Sequence, residues 1–210
     1  MLNICPQCCA YRPDRILDEG SKTMRCPECG ATLPLQRLPL FLITGASGVG
    51  KSSVCRKLYL QERDYLVMES DIMWCDAFNE PESNYRRYRE LWLRMCKNIS
   101  QGGRPVVLCG CCTPDQFEPC VERRYFTNLY YLALVSDEEQ LIRRLQEGRG
   151  IHDPAYIEGS VNFNRWLRNN ARTTQPALEL LDLTGLDADQ GAQAADAWIR
   201  AKMHEEGLDG

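Results

Sequence analysis

The sequence lacks any apolar run of the length that a membrane helix needs. A helix that crosses a bilayer takes about 18 or more consecutive apolar residues, and no stretch of the chain approaches that length. The first residues also lack the basic, apolar and small-residue regions of a secretory signal. We therefore expect a cytoplasmic protein with no membrane partner. In that compartment its 12 cysteines, among them Cys55, Cys96 and Cys109, are expected to be reduced thiols.

An excess of positive charge is also missing. The formal net charge is −4 at pH 7, whereas non-specific nucleic-acid binding draws on clustered positive charge. Nucleic acid is therefore not expected as the main partner. Arginine strongly outnumbers lysine, which suits bidentate contacts to phosphate or carboxylate but equally fits a compositional bias. Because 44% of the residues are hydrophobic, the chain can bury an ordinary core.

Residues 1–36 lack an apolar segment that could form a core of their own, so another kind of bond must hold them together. They contain two Cys-x-x-Cys pairs, made by Cys5, Cys8, Cys26 and Cys29. This spacing predicts a four-cysteine zinc ribbon, and four thiolates leave no open position, so we expect a structural metal. Cys9 is an alternative to Cys8, although Cys8 matches the spacing of the second pair. A thioredoxin-like motif would need a βαβ context, which is absent here.

From residue 37 onward, short apolar runs alternate with longer amphipathic segments. We predict strands at 40–43, 65–68, 105–109, 129–135 and 178–183. We predict helices at 51–62, 84–100, 137–147, 162–171 and 189–204. Strands that are apolar throughout and alternate with helices are typical of a parallel sheet covered on both faces.

One motif in this region carries specific chemistry. The residues from Gly45 to Ser52 read G-A-S-G-V-G-K-S and fit the Walker A pattern G-x-x-x-x-G-K-[ST] between a predicted strand and a predicted helix. Glycines let backbone N–H groups point at phosphates, and the helix N-terminus favours negative charge. Lys51 is expected to contact the β and γ phosphates, and the Ser52 hydroxyl to bind Mg²⁺. The expected nucleotide-binding residues are Gly45, Ala46, Ser47, Gly48, Val49, Gly50, Lys51, Ser52 and Ser53.

Several classes of P-loop protein are disfavoured by missing motifs. No Asn-Lys-x-Asp sequence is present to read guanine, and Asp182 to Gly185 lies too late in the chain to be a GTPase switch. The chain is also too short for the added helical domains of large ATPases. A kinase remains the best match.

From about residue 39 to residue 200 the chain resembles the P-loop kinases of small molecules, the grouping that includes shikimate kinase, gluconate kinase, adenylate kinase and chloramphenicol phosphotransferase. Segments 67–74, 91–99, 104–110 and 163–167 also resemble bacterial nucleoside-kinase-like ATPases. The resemblance implies a three-layer α/β fold with a parallel five-stranded sheet in the order 2-3-1-4-5. It implies transfer of the γ-phosphoryl of ATP, with Mg²⁺, to a small-molecule or nucleotide acceptor. We expect the ribbon at 1–36, the kinase-like domain at 37–210 and a lid around 148–170.

The resemblance also suggests a general base. Asp71 follows the second predicted strand of the kinase-like region, and ligands of open α/β sheets bind beyond the carboxyl ends of strands. Related kinases often place an acid here that orients the acceptor hydroxyl or takes its proton. A helix N-cap is the structural alternative for Asp71. Glu69 is a weaker candidate for the Mg²⁺ shell.

Positive groups that close over the phosphates are expected on the helix after the fourth strand of that region. Arg144 and Arg149 are the chosen lid arginines, with Arg143 beside them, and solvated helix arginines are the alternative. Gly148 and Gly150 would let the segment move. A second group of arginines is more weakly predicted to face an anionic acceptor or simply solvent: Arg86, Arg87, Arg89 and Arg94. Asn164 and Arg165 are weak candidates on the lid helix.

Two other functions remain open at the level of the sequence. The chain could be a nucleotide-dependent switch whose ribbon recognises a protein or nucleic acid, since a ribbon has been added to the domain. It could also be a structural protein whose P-loop has lost its ligand. Acceptor-dependent ADP release distinguishes a kinase from both.

Overall fold

The computed structural model describes residues 3–18, 20, 22–61 and 63–208. They form a small antiparallel sheet followed by a larger parallel sheet between two layers of helices. Among the described residues, no helix combines the length and apolarity that a bilayer crossing requires.

The larger sheet contains five parallel strands. These strands are β4 Leu40–Gly45, β5 Leu66–Glu69, β6 Val106–Cys109, β7 Leu129–Val135 and β8 Glu179–Asp182. Their spatial order is β5-β6-β4-β7-β8, which is 2-3-1-4-5 within this sheet, so the predicted fold class and strand order are confirmed. β4 lies at the centre and is buried along its whole length, as its continuous apolar sequence predicts.

Side chains alternate across the central strand and fill two cores. Phe41 and Ile43 face one helical layer, whereas Leu40 and Leu42 face the other. The first layer contains α1 Lys51–Tyr59 and α6 Ala188–Glu205. The opposite layer is supplied mainly by α2 Arg86–Ser100, α3 Pro114–Phe117 and the C-terminal part of α5 Pro154–Asn170. α4 Glu138–Arg149 packs beside the P-loop and contributes Leu141 and Leu145 to the first core.

The helix boundaries show where the sequence prediction was wrong. α5 begins at Pro154, eight residues before the predicted start at 162, because Asp153 caps the helix and Pro154 occupies its first turn. The expected α1 extends to Glu62, which lies outside the described residues, while the observed helix ends at Tyr59.

The amino-terminal sheet is built from three very short strands, β1 Ile16–Asp18, β2 Thr23–Arg25 and β3 Thr32–Pro34. Its buried apolar cluster contains Met24, Leu35 and Tyr125. Tyr125 belongs to the region that follows β6, so the amino-terminal sheet completes its core with a side chain from the larger part of the chain. Apolar burial within residues 3–36 is accordingly small, as the sequence predicts.

Buried charged groups hold the two parts together. The Lys97 ammonium on α2 donates to the Glu122 carboxylate and to the Asn3 side chain, and the exposure of Lys97 and Glu122 is near zero. Arg94 donates from Nε to the same carboxylate at 3.0 Å. Because unpaired buried charges are strongly unfavourable, this arrangement keeps Asn3 in contact with α2 and Glu122.

The cysteine chemistry differs in part from the expectation. Cys55 on α1 and Cys109 at the end of β6 form a disulfide, so the prediction that both are reduced was wrong. They are 54 residues apart in sequence, and only the packing of α1 over β6 brings them together. Cys96 is a free, buried thiol, as expected.

Candidate functional site

A cleft of about 610 Å³ lies beyond the carboxyl ends of β4, β5 and β6. This edge of a parallel sheet is where ligands of open α/β folds bind. The cleft brings together all four residues that the sequence nominated for catalysis: Lys51, Asp71, Arg144 and Arg149. Of the predicted nucleotide-binding residues, Ser47, Gly48, Gly50, Lys51, Ser52 and Ser53 line it. Ala46 and Val49, which belong to the same loop, are buried.

The P-loop backbone adopts conformations that its glycines make possible. Gly45 and Gly48 have φ angles of 151° and 81°, a region that side chains strongly disfavour. A Cβ atom at Gly45 would approach the Leu134 carbonyl oxygen to 2.6 Å, and one at Gly48 would approach Leu145 Cγ to 2.7 Å. The loop therefore packs tightly onto β7 and α4, and its shape depends on these glycines.

Lys51 begins α1 and turns its ammonium group back into the loop. Nζ donates to the carbonyl oxygens of Gly45 and Ala46, at 2.7 and 2.9 Å. Burial lowers the pKa of Lys51 from its ordinary value, and the nearby Cys111 and Asp71 act in the opposite direction. The amine is thus held at the mouth of the P-loop, with hydrogen-bond partners that an anionic ligand could replace.

Oxygen ligands meet next to Lys51. The Ser52 hydroxyl donates to Glu69 Oε1 at 2.8 Å, and Asp71 lines the same cleft from the 3₁₀ turn Ser70–Met73 that follows β5. A hydroxyl that donates to a carboxylate keeps its lone pairs available for a cation. Hydroxyl and carboxylate oxygens are the ligands that Mg²⁺ prefers, so this set fits the ion expected with a triphosphate.

The tip of the P-loop is contacted from the opposite side of the cleft. The Arg149 guanidinium, at the end of α4, donates to Ser47 Oγ at 2.5 Å. The hydroxyl of Tyr156, in the first turn of α5, lies 2.9 Å from the same oxygen. Ser47 therefore joins the P-loop to two residues of the segment 148–170, where the lid was predicted. Sequence reasoning missed Tyr156 because the helix was predicted to start after it, although Asp153-Pro154 marks a helix start.

Arg144 contacts the P-loop at a different point. One of its terminal nitrogens donates to the Val49 carbonyl at 2.7 Å, and partial burial lowers the pKa of Arg144 from its ordinary value. This guanidinium supports the backbone of the loop as well as lining the cleft.

The weaker candidates on α2 and α5 bond to other parts of the protein. Asn164 is buried and bonds to the backbone of Ser136, while Arg165 pairs with Glu138 on the surface. Arg89 is only 6% exposed, so it is not one of the arginines that face solvent. It donates to the Cys111 carbonyl and to Gln116 at 2.9 Å.

The four cysteines of the two Cys-x-x-Cys pairs meet at one point. Their Sγ atoms all lie within 4.8 Å of one another, with distances of 3.6 Å from Cys5 to Cys29 and 3.8 Å from Cys8 to Cys26. A tetrahedral zinc site with Zn–S bonds of about 2.3 Å requires sulfur separations of roughly 3.8 Å. The cluster therefore fits a zinc ion.

The two cysteine turns also explain why Cys9 is not part of the cluster. In each turn the first cysteine accepts a backbone hydrogen bond four residues later, from Cys9 N–H in one and from Gly30 N–H in the other. Cys9 and Gly30 both have positive φ angles, 60° and 74°. Cys9 thus occupies the structural position of a turn glycine, and Cys8 contributes its thiol to the cluster.

Comparisons with known proteins agree with this architecture. A sugar kinase from Janibacter sp. HTCC2649 has a TM-score of 0.54 and 16% identity over 79% of this chain and 95% of its own. A tunicamycin resistance protein from Deinococcus radiodurans has a TM-score of 0.56 and 18% identity over 78% and 96%. For a gluconokinase from Sinorhizobium meliloti 1021 the values are 0.51 and 19%, over 81% and 99%.

No family model matches the chain, and no curated protein matches it in sequence. The likeness to the solved structures therefore establishes the fold, which is that of the P-loop kinases, as the resemblance in sequence led us to expect. The alignments with the sugar kinase and the gluconokinase cover about four-fifths of this chain.

Proposed function

We propose that the protein is an ATP-dependent phosphotransferase that moves the γ-phosphoryl of ATP to a hydroxyl or phosphate group of a small molecule, nucleoside or nucleotide. One observation carries the proposal. A complete P-loop opens into the same cleft as a carboxylate, Asp71, that lies at the end of the neighbouring strand. A carboxylate at this position can orient an acceptor hydroxyl beside the phosphates.

The P-loop holds the triphosphate in this proposal. Backbone N–H groups at the start of α1 bind the phosphate oxygens, and the helix dipole adds to the attraction. Lys51 exchanges its contacts with the Gly45 and Ala46 carbonyls for contacts with the β and γ phosphates. Because the loop packs against β7 and α4, little reorganisation is needed when the ligand binds.

The oxygen ligands beside Lys51 hold the metal. Ser52 and Glu69 are the residues that would bind Mg²⁺, directly or through water. A bound Mg²⁺ neutralises charge on the phosphates during transfer.

Asp71 acts on the acceptor. Its carboxylate orients an acceptor hydroxyl and takes its proton while the acceptor oxygen forms a bond to the γ-phosphorus. The bond from that phosphorus to the β–γ bridging oxygen breaks, and ADP leaves with the electron pair. Arg149, which already contacts the P-loop tip, places a positive charge over the transferring group. Arg144 supports the loop from Val49 and contributes charge from the side.

The four thiolates hold a structural zinc ion in this proposal. They form a closed set, so the metal takes no part in phosphoryl transfer.

The test is a panel of nucleosides, nucleotides, sugars and antibiotics incubated with the full chain, ATP and Mg²⁺. We expect acceptor-dependent ADP release and a phosphorylated product detectable by mass spectrometry. The Lys51→Ala variant should lose at least about 10²-fold of this activity while keeping its fold, because an electrostatic contact to the reacting phosphate is lost. Slow ATP hydrolysis that no acceptor accelerates would instead favour the switch whose ribbon recognises a partner.

A further inference from the structure

A cluster of aromatic side chains lies directly beside Asp71 and is not used by the phosphate-binding half of the site. It consists of Trp74, Tyr85 and Tyr88, which we call the aromatic platform. Trp74 makes edge-on contacts with Tyr85 and Tyr88, with ring centroids 6.0 and 5.2 Å apart. Tyr88 is buried and donates its hydroxyl proton to the Ser70 carbonyl at 2.5 Å. The platform is therefore tied to the turn that carries Asp71.

Trp74 follows directly after the 3₁₀ turn Ser70–Met73 that carries Asp71. The two residues are three apart in the chain, and the Trp74 N–H donates to the Asp71 carbonyl at 3.0 Å. The backbone therefore holds Trp74 close to the residue that lines the cleft.

The platform leaves apolar surface open at this place. Trp74 is 44% exposed and Ile72 is 67% exposed, although large apolar side chains gain by burial. The indole orientation is nevertheless fixed by two aromatic neighbours. An aromatic ring that is held in place and still exposed is suited to stacking against a planar ligand.

Backbone strain next to the platform supports a binding role. Asn84 and Tyr85 have positive φ angles, 54° and 58°, which are costly for residues other than glycine. Hydrogen bonds hold this conformation: the Asn84 side chain donates to Asp115 at 2.7 Å, and the Tyr85 N–H donates to the Glu80 carbonyl at 3.0 Å. The strained pair sets the position of the Tyr85 ring against Trp74.

The polar groups around the platform are already engaged within the protein. Gln116 donates to Asn84 and accepts from Arg89, whose guanidinium also donates to the Cys111 carbonyl. A polyol acceptor needs several free donors and acceptors along its length, whereas a flat aromatic ring needs an apolar face. The aromatic platform offers such an apolar face.

From these contacts we infer that the phosphoryl acceptor carries an aromatic or heteroaromatic ring, such as a nucleobase, that stacks on Trp74 while its hydroxyl reaches Asp71. The inference rests on the proposed phosphotransferase function and narrows its acceptor class. Trp74 is a substrate-binding residue in this assignment. It sets acceptor affinity and leaves nucleotide binding at the P-loop unchanged.

The experiment compares two sets of acceptors with the full chain, ATP and Mg²⁺: adenosine and uridine, which carry heteroaromatic rings, and gluconate and glycerol, which do not. We expect turnover with the ring-bearing set. Trp74→Ala should raise the acceptor KM by about 5- to 100-fold, in line with the loss of one stacked base, with kcat and the KM for ATP unchanged. Trp74→Phe should retain most of the affinity. Trp166, 38% exposed on α5, is the matched control for removal of an exposed indole.

The inference is overturned if gluconate or glycerol is the better acceptor, if Trp74→Ala changes the acceptor KM by less than about twofold, or if Trp166→Ala has the same effect. Binding of adenosine and uridine, measured by calorimetry without ATP, separates this inference from the proposed reaction. Saturable binding that is lost in Trp74→Ala, without phosphoryl transfer to any compound, would support the aromatic site and refute the kinase. Absence of binding and turnover with both nucleosides would refute the aromatic site.

Discussion

The amino-terminal sheet and the α/β region are stabilised in different ways within one chain. The α/β region buries two extensive apolar cores on the faces of its parallel sheet. The amino-terminal sheet has three buried apolar residues in its core, and one of them, Tyr125, comes from the other region. Its strands are too short to bury a larger core, and four cysteines from its two turns meet in one cluster. A segment too small to exclude water from a core of its own is joined here by a four-cysteine cluster that fits a metal ion and by contacts with its neighbour.

The contact between the regions combines both strategies. The Tyr125 hydroxyl donates to the Pro13 carbonyl at 2.6 Å and accepts from the Arg15 N–H at 3.2 Å. Lys97, toward the end of α2, donates to Asn3 of the amino-terminal segment. Tyr88, near the start of the same helix, contacts Trp74. The amino-terminal segment therefore contacts the helix that carries one member of the aromatic platform.

Loss of the metal is expected to have the largest effect, and to affect the amino-terminal sheet but not the α/β region. Cys26→Ser removes one ligand of the closed site, and structural zinc contributes about 10–16 kcal/mol of binding free energy in small metal-dependent domains. We expect zinc content to fall from one ion per chain to none, with loss of hydrogen-exchange protection in residues 3–36. Protection of β4 and β7 should remain, because their core is apolar.

Cys9→Gly is the matched control, since it places in the first turn the residue that Gly30 supplies in the second. It should keep one zinc ion per chain. Freshly purified protein without zinc, or collapse of both regions in Cys26→Ser, would contradict this account.

The second prediction concerns chemistry within the α/β region alone. Asp71→Asn should lower kcat by about 10²- to 10⁴-fold, because an amide cannot take the proton of the acceptor. The dissociation constant for ATP, measured by calorimetry, should change little. Asp64→Asn, which alters an exposed carboxylate paired with Arg200, should leave kcat unchanged. Equal losses in kcat and ATP affinity in Asp71→Asn would exclude its role as base.

The third prediction concerns the buried ion pair between the two regions. Lys97→Met leaves the Glu122 carboxylate buried without its main partner, and breaking such a pair costs about 3–5 kcal/mol. Denaturant unfolding should show that loss. The double variant Lys97→Met with Glu122→Leu should be more stable than Lys97→Met alone, because no unpaired buried charge remains. If the double variant is the less stable of the two, the pair is not the main source of the effect.

The smallest predicted effect is at the contact between the P-loop and α5. Tyr156→Phe removes one hydrogen bond to Ser47, which contributes about 1 kcal/mol, so ATP affinity should fall by about fivefold. Ser47→Ala should produce a similar loss, and the double variant should be no worse than either single one, as expected for two partners of one contact. Tyr59→Phe, at an exposed tyrosine on α1, serves as the control. Additive losses in the double variant would show that Ser47 and Tyr156 act separately.

The parallel sheet was predictable because its signals are local. Each strand is a short apolar run, and the Walker A motif marks the junction between β4 and α1, so the fold class and the P-loop could be read without coordinates. The start of α5 was misjudged for a local reason as well. The polar composition of residues 154–161 outweighed the capping signal at Asp153 and Pro154.

Residue spacing and side-chain type were sufficient to predict that the four cysteines would cluster and that the Walker A loop and Asp71 would meet in one cleft. Each lies in a short motif or at a strand end whose geometry is set by neighbours along the chain. Contacts between distant segments could not be obtained in that way. Four such contacts depend on how helices pack on the sheet: the disulfide of Cys55 with Cys109, the approach of Tyr156 and Arg149 to Ser47, the pairing of Lys97 with Glu122 and the packing of Trp74 against Tyr88 of α2. Packing follows from the shape of the whole core, and no short stretch of sequence contains that information.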